Sequence, residues 1–321
     1  MLRTVFMGTP DFALPSLEVV VARTALALVV TQPDKPAGRG RKLHAPPVKT
    51  RAIELGVEVV QPAGSITKEV GSRLVELAPD VIIVVAFGKF LGRKVLGTPR
   101  FGCINVHASL LPRHRGADPI AWAILRGDTV TGVTVQQMVP EMDAGDVLAR
   151  ASTPIEPDET AGELAERLST MGAELVEKMI TGLEEGTLAA EPQDHGAATL
   201  APPLCKRDGA IDWSAPAQKV HDHVRAMNPW PVAYTLCDRG RLRVLRTRVV
   251  ETEVVAGEPG EVVQADKHGV HVACGEGVLE LVEAQREGKS VARATELVFG
   301  RLLCCGERFC DSFEGDGGRQ G

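Results

Sequence analysis

Through the first half of the chain, short β-branched runs alternate with segments whose apolar residues recur at helical spacing, the pattern of a parallel sheet covered by helices on both faces. The apolar runs predict strands over 3–7, 25–31, 57–61, 81–86, 103–106 and 134–138. Helices are predicted over 10–23, 48–55, 68–77 and 120–126, and a longer one over 161–183, where Leu164, Leu168, Met171, Leu175 and Met179 form an apolar stripe. The pattern stops near Gly186. Residues 191–207, with Pro192, Gly196, Pro202 and Pro203, show no sustained period and read as a linker. Beyond it, a helix over 218–227 and short strands over 232–237, 241–250, 260–265, 270–274 and 278–283 suit a small antiparallel barrel or sandwich. The expected division is a first domain over 1–190, a linker over 191–207 and a second domain over 208–313, with a disordered Gly-rich tail over 314–321.

Composition narrows this picture. A length of 321 residues favours two hydrophobic cores over one. Aromatic residues are only 4 % and the formal net charge is −6, which argues against a surface that stacks unpaired bases throughout. Totals hide local patches, so the distribution of charge decides. Residues 2–7 run straight into Gly8-Thr9-Pro10 and read as a first strand, not a secretory signal, and no apolar run reaches membrane-spanning length. The seven Cys are odd in number, include the adjacent pair Cys304-Cys305 and never take CxxC spacing, so free thiols in a reducing, cytoplasmic setting are expected, and no metal.

The segment 102–119 reads GCINVHASLLPRHRGADP: a buried strand running into a loop. Open parallel sheets collect ligands at the carboxyl ends of their strands. Asn105 and His107 stand two apart there and share a face. An Asn amide donates to a developing oxyanion and a His donates a proton or a second hydrogen bond, so the pair suits attack on a carbonyl. By itself Asn-x-His at a strand end is more often a turn with a satisfied polar pair. Asp143, in the tight turn Met142-Asp143-Ala144-Gly145-Asp146 after another predicted strand, could reach the same edge and shuttle the proton of a reacting amine from a partly desolvated position. Asp146 reads as a turn-former or cap.

Asn105-x-His107, the following Ser109-Leu110-Leu111-Pro112 and the distal Asp143 resemble the signature of the folate-dependent formyltransferases, over nearly the whole chain from Gly8-Thr9-Pro10-Asp11-Phe12 to Phe309. The resemblance implies a Rossmann-like catalytic domain followed by an OB-like barrel. It implies 10-formyltetrahydrofolate as formyl donor, the α-amino group of methionine esterified to initiator tRNA as acceptor, no metal, and a monomer. On the same basis Asn105, His107 and Asp143 are catalytic, and Ala86, Phe87 and Gly88 with Ser109, Leu110, Leu111 and Pro112 bind folate. Two departures stand out: Ala108 occupies the position of a common Gly, and 201–206 lacks the usual Tyr-Ala-x-Lys.

Two basic clusters bear on the acceptor. The stretch Pro33-Asp34-Lys35-Pro36-Ala37-Gly38-Arg39-Gly40-Arg41-Lys42-Leu43 carries four basic residues, and its two Gly and two Pro should prevent regular structure. In the tRNA-formylating branch the matching loop enters the acceptor arm, which implies a leading role for Arg39, with Lys35, Arg41 and Lys42 assisting. In the second domain Arg239, Arg241, Arg243, Arg246 and Arg248 fall within ten residues, with Arg241 and Arg243 on one strand face. Alone such a strand is more often an exposed barrel face, and it is the resemblance to the family's tRNA-binding barrel that implies Arg241 and Arg243 as tRNA contacts. Pro-flanked Trp230 reads as a packing anchor. Relatives that formylate glycinamide ribonucleotide or amino-sugar nucleotides, or hydrolyse formylfolate, share the Asn, His and Asp, so the basic loop is the discriminator. A nucleotide-binding dehydrogenase would need GxGxxG after the first strand, which is absent, and a noncatalytic RNA-binding protein would not need the triplet.

Overall fold

The computed structural model describes residues 1–37, 42–237, 239–251, 257–300 and 303–310. Arg39, Arg41 and the 314–321 tail therefore lie outside the described residues, and of Lys42 only the backbone is described. The chain forms two compact units: Met1–Pro119, Val130–Pro154 and Ala165–Pro202 make the first, and Ile120–Thr129, Ile155–Leu164 and the chain from Pro203 onward make the second.

The first unit contains strands β1 (Arg3–Gly8), β2 (Ala25–Val30), β3 (Lys35–Ala37), β4 (Lys42–His44), β5 (Val59–Val60), β6 (Val81–Val85), β7 (Cys103–His107), β8 (Arg115–Gly116), β9 (Val130–Gln137), β10 (Val147–Pro154) and β11 (Leu200–Ala201). Seven of them form one sheet in the order β10-β9-β7-β6-β1-β2-β5, parallel from β7 to β5, with β9 and β10 antiparallel. The central strand β6 is five buried Val and Ile residues, as a strand covered on both faces requires. Helices α1 (Leu14–Arg23), α2 (Pro47–Glu54), α3 (Ile66–Glu69) and α4 (Gly71–Leu77) lie along predicted segments, the last two dividing one of them, and α5 (Arg93–Leu96) was not predicted. Helix α6 (Pro119–Leu125), most of which belongs to the second unit, and α7 (Ala161–Glu185), which begins there, also follow predicted segments. Ile66, Val70, Leu74 and Val95 pack with Val5, Met7, Ile82, Val84 and Cys103 on one sheet face. On the other face α7 comes close enough at Gly172 that a Cβ there would sit 3.0 Å from Val106 Cγ1.

Three features of this unit depart from expectation. Strand β10 was not foreseen, because Ala149, Ala151 and Pro154 disfavour a strand and its conformation follows from pairing with β9. Residues 35–37 and 42–44 form an antiparallel hairpin, so Gly and Pro do not abolish regular structure there: Pro36 pairs with Leu43 in an isolated two-stranded ribbon, where a missing N–H is tolerated. The supposed linker is pinned in place. Glu191 forms an antiparallel bridge with Val147, and β11 pairs with β8.

The second unit adds α8 (Ala217–Ala226), β12 (Ala233–Cys237), β13 (Gly240–Val250), β14 (Val262–Ala265), β15 (Val270–Ala273), β16 (Val278–Arg286), β17 (Ala292–Arg293) and α9 (Ala294–Phe299). Its antiparallel sheet runs β12-β13-β16-β15-β14, with β17 beside β16. Residues near the end of the described chain bridge the two edges: Cys310 pairs with Leu236 on β12 and Arg308 with Glu261 before β14. The sheet thus closes into a barrel and leaves little free edge.

At the start of α7, Thr160 and Glu163 form a reciprocal capping box, Glu163 Oε2 accepting from the Thr160 N–H at 2.9 Å and Thr160 Oγ1 accepting from the Glu163 N–H at 3.3 Å. Backbone donation from Thr160, followed by the Arg246 guanidinium, holds the Glu163 carboxyl down to about 2. A carboxyl lowered on folding stabilises the fold above its ordinary value of 4.5, and that contribution is lost as pH falls through about 2. Glu163 is 46 % exposed. Glu163→Gln is therefore expected to cost only about 0.5–1 kcal/mol at pH 7. The difference in Tm from the parent should shrink between pH 4.5 and 2, and a constant difference would contradict the assignment.

Candidate active site

Strand β7 places Cys103, Asn105 and His107 on the sheet face that packs α3 to α5, and Asn105 and His107 extend this row to the carboxyl end. The cross-strand neighbour of Asn105 is Gln136 on β9, and that of His107 is Thr134, so all four side chains share the face. The Asn105 amide is partly exposed and has no hydrogen-bond partner among the described residues. His107 is buried, and its Nε2 lies 2.9 Å from the His114 carbonyl. A carbonyl only accepts, so Nε2 carries the hydrogen and Nδ1 faces the carboxylate of Asp143, with Nδ1 to Oδ2 at 3.7 Å.

Asp143 reaches this face from the turn between β9 and β10, where its backbone takes the left-handed φ of +50°. Gly116 N–H donates to Oδ2 and Gln136 Nε2 to Oδ1, both at 2.9 Å, so each carboxylate oxygen is aimed by a fixed donor. Gly116 can take this place because φ is +129° and a Cβ would lie 2.4 Å from the Ala201 carbonyl oxygen. The Asp143 side chain is 16 % exposed, which matches the partly desolvated setting expected of it. The intervening loop is latched by Thr134, whose Oγ1 donates to the Ser109 carbonyl at 2.7 Å and accepts from the Leu111 N–H at 3.1 Å. Thr199 adds a second latch, its Oγ1 accepting from the His114 N–H at 2.9 Å.

This is an amide donor, an imidazole and a held carboxylate on one open edge of a sheet. Residues 5–180 match the family model described as formyl transferase, and residues 203–302 match formyl transferase, C-terminal domain. The chain belongs to the formyl transferase family. Curated relatives named methionyl-tRNA formyltransferase include those of Sorangium cellulosum, 47 % identical over 95 % of this chain and 98 % of the relative, and Acetivibrio thermocellus, 45 % identical over 95 % and 99 %. Among solved structures, an N-formyltransferase from Helicobacter canadensis has a TM-score of 0.69 at 15 % identity, covering 88 % of this chain and 99 % of that one. HypX from Aquifex aeolicus in complex with tetrahydrofolic acid has a TM-score of 0.62 at 18 % identity, covering 94 % of this chain and 47 % of that one.

In this formyl transferase the remaining candidates fall into distinct settings. Ala86 and Gly88 are exposed with left-handed φ of +45° and +72°, while Phe87 between them is buried and its carbonyl accepts from Gln32 Nε2 at 2.8 Å and Thr9 Oγ1 at 3.2 Å. Such a turn leaves the Ala86 and Gly88 backbone open to a heterocycle. Ser109 and Leu111 are buried, and Ser109 Oγ donates to the Arg113 carbonyl, so these two shape the loop; Leu110 and Pro112 are partly exposed. Exposed Lys35 Nζ donates to Gln32 Oε1 at 2.6 Å, which ties the base of the basic hairpin to the residue that holds the Phe87 turn. Among the described residues no group of three or more His, Cys, Asp or Glu is arranged to hold a metal ion.

On β13 the exposed side chains are Arg241 and Arg243, then, after irregular pairing with β16 between Val244 and Thr247, Arg248, with Arg246 half-buried. The bulge shifts the alternation, so residues that strict period two would separate, Arg243 and Arg246, both point away from the core. Arg246 is ion-paired with Glu163 and Glu283, and Arg248 with Glu280. Arg241 lies over the Tyr234 ring at 4.1 Å and Arg243 Nη1 donates to neutral Gln285 at 3.2 Å, so these two keep their charge uncompensated by any carboxylate contact found among the described residues. Sequence reading missed Gln136, Gln193 and Arg115 as parts of the site. Gln136 shares its strand phase with Thr134, opposite Val133 and Val135, so the alternation did not single it out.

Proposed function

We propose that this chain transfers the formyl group of 10-formyltetrahydrofolate to the α-amino group of methionyl initiator tRNA, giving N-formylmethionyl-tRNA for translation initiation. The observation that carries the chemistry is the meeting of Asn105, His107 and Asp143 on one sheet edge. The amine nitrogen attacks the formyl carbon, and the carbonyl electron pair moves onto oxygen. The Asn105 amide donates to that oxygen from a position where it has no competing partner. With Nε2–H committed to the His114 carbonyl, Nδ1 is the ring nitrogen left on the Asp143 side, and in this reading His107 stabilises the oxyanion from there. Asp143 takes the proton from the attacking nitrogen and passes it to the folate nitrogen as the carbon–nitrogen bond to folate breaks. The exposed backbone at Ala86 and Gly88 fits the edge of the pterin, with Leu110 and Pro112 beside it.

The acceptor assignment is supported by the relatives' name and by charge. Lys35, Arg39, Arg41 and Lys42 are the phosphate contacts of the basic 33–43 segment in this reading, and Arg241 and Arg243 are those of the barrel. A tRNA acceptor also places the reaction in the cytoplasm. The test compares charged initiator tRNA, glycinamide ribonucleotide, an amino-sugar nucleotide and water as acceptors from 10-formyltetrahydrofolate; transfer to water or a small amine alone would overturn the acceptor. Reversing Arg241 and Arg243 to Glu together should raise the KM for tRNA while the KM for folate stays put. It should also flatten the salt dependence of binding by about 0.7–0.9 log units per log unit of salt for each lost contact. An unchanged slope would remove this strand from the interface.

A further inference from the structure

We infer that Gln193 is a positioning residue for Asp143: it clamps the strained turn that carries the carboxylate, and does so as part of a buried relay from Arg115. This rests on the catalytic reading of Asp143 given above. Gln193 is 7 % exposed and lies in the segment that sequence pattern assigns to a linker. The bridge between Glu191 and Val147, with N–H to carbonyl distances of 2.7 and 2.8 Å, pins that segment to the edge strand β10 and aims Gln193 inward.

Its amide nitrogen lies 2.9 Å from the Asp143 carbonyl oxygen, 2.6 Å from the Gly145 carbonyl oxygen and 3.3 Å from Gln136 Oε1. Two carbonyls of the turn are therefore held from one side by one donor group. Its Oε1 accepts from Arg115 Nε at 3.2 Å and Nη2 at 2.6 Å, and Arg115 is itself 9 % exposed. The guanidinium fixes which way the Gln193 amide points, because only the oxygen can face Arg115 and only the nitrogen can face the two carbonyls. His195 Nδ1, 3.1 Å from Arg115 Nη2, accepts on the far side.

The turn needs such a clamp. A left-handed φ at a non-glycine residue is strained and persists only where its surroundings over-determine it. Gly145 gives no slack, since its Cα faces the Gln137 carbonyl so closely that a Cβ would lie 1.8 Å from that oxygen. Gln136 touches both the carboxylate of Asp143 and the amide of Gln193, so the side chain and the backbone of Asp143 are oriented by one connected set of donors. A shift of this turn moves the carboxylate without removing any group that contacts substrate.

Three variants test this in the full-length protein, with turnover normalised to folded protein. Gln193→Ala should lower kcat by about 10- to 100-fold with both KM values changed less than about twofold. Gln193→Glu keeps an acceptor for Arg115 but cannot donate to the carbonyls when ionised. Its second oxygen then faces the two carbonyls, so Tm should fall, and with turnover normalised to folded protein the same loss of kcat should remain, whereas a residue needed only to satisfy Arg115 would be rescued by Glu. In an Asp143→Asn background, adding Gln193→Ala should change kcat by less than about twofold, because both changes remove the same function. Full kcat in either Gln193 variant, with Asp143→Asn inactive, overturns the inference alone. Full multiplicative loss in the double variant does the same. Normal turnover by Asp143→Asn overturns the catalytic reading and the inference with it.

Discussion

An Asp143→Asn enzyme is expected to fold and to turn over about 10²- to 10⁴-fold more slowly, with little change in KM for either substrate. The substitution preserves shape and suits the backbone, since Asn accepts a left-handed φ such as the +50° found here. In the proposed mechanism it removes the group that accepts the amine's proton. It also leaves one of two inward donors, the Gly116 N–H or Gln136 Nε2, facing an NH₂ group. That mismatch should cost about 1–3 kcal/mol of stability, so Tm must be measured beside kcat to separate a lost proton carrier from a lost fold. Near-parental kcat in a protein with this modest loss of stability would remove Asp143 from the chemistry.

The second large effect is expected at Asn105. Asn105→Ala should reduce kcat by about 10²- to 10³-fold through loss of one oxyanion donor. Here stability should hardly move, because the amide has no partner among the described residues to leave behind. This contrasts with His107, whose Nε2–H satisfies the His114 carbonyl and whose removal would disturb the loop as well as the reaction. A fall in Tm without a fall in kcat at Asn105 would mean that the side chain is part of the frame and not of the site. Near-normal kcat with unchanged Tm would equally refute its donor role.

Much of this site is visible in the order of residues. Asn105 and His107 stand two apart on a strand whose apolar neighbours, Ile104 and Val106, must face inward on the other side, so their shared face needs no long-range information. Asp143 is visible as a turn carboxylate after a strand. What brings it to His107 is the antiparallel pairing of β9 with β7, and a strand's partner is not written in its own alternation. The same limit hid β10, which is a strand because β9 lies beside it, and the hairpin at 35–44, where pairing outweighed local Pro and Gly signals.

Polar burial was the least legible part. Gln193 and Arg115 look like ordinary surface residues in sequence, yet each is buried because the other, together with the Asp143 turn, satisfies its hydrogen bonds. The Arg row on β13 shows the converse: Arg246 and Arg248 meet carboxylates that the local sequence does not announce, and a bulge resets which residues share the outward face.

By itself, then, the order of residues determined the strands and helices of the parallel sheet, the antiparallel pattern of the second unit and the shared face of Asn105 and His107 on β7, because hydrophobic period and strand geometry are properties of neighbours along the chain. Only the tertiary structure decided which acidic turn meets that pair, which Arg residues are neutralised, and how a presumed linker becomes the clamp behind Asp143. Those are matters of which segments meet, and a buried polar group is stable only where its distant partners arrive.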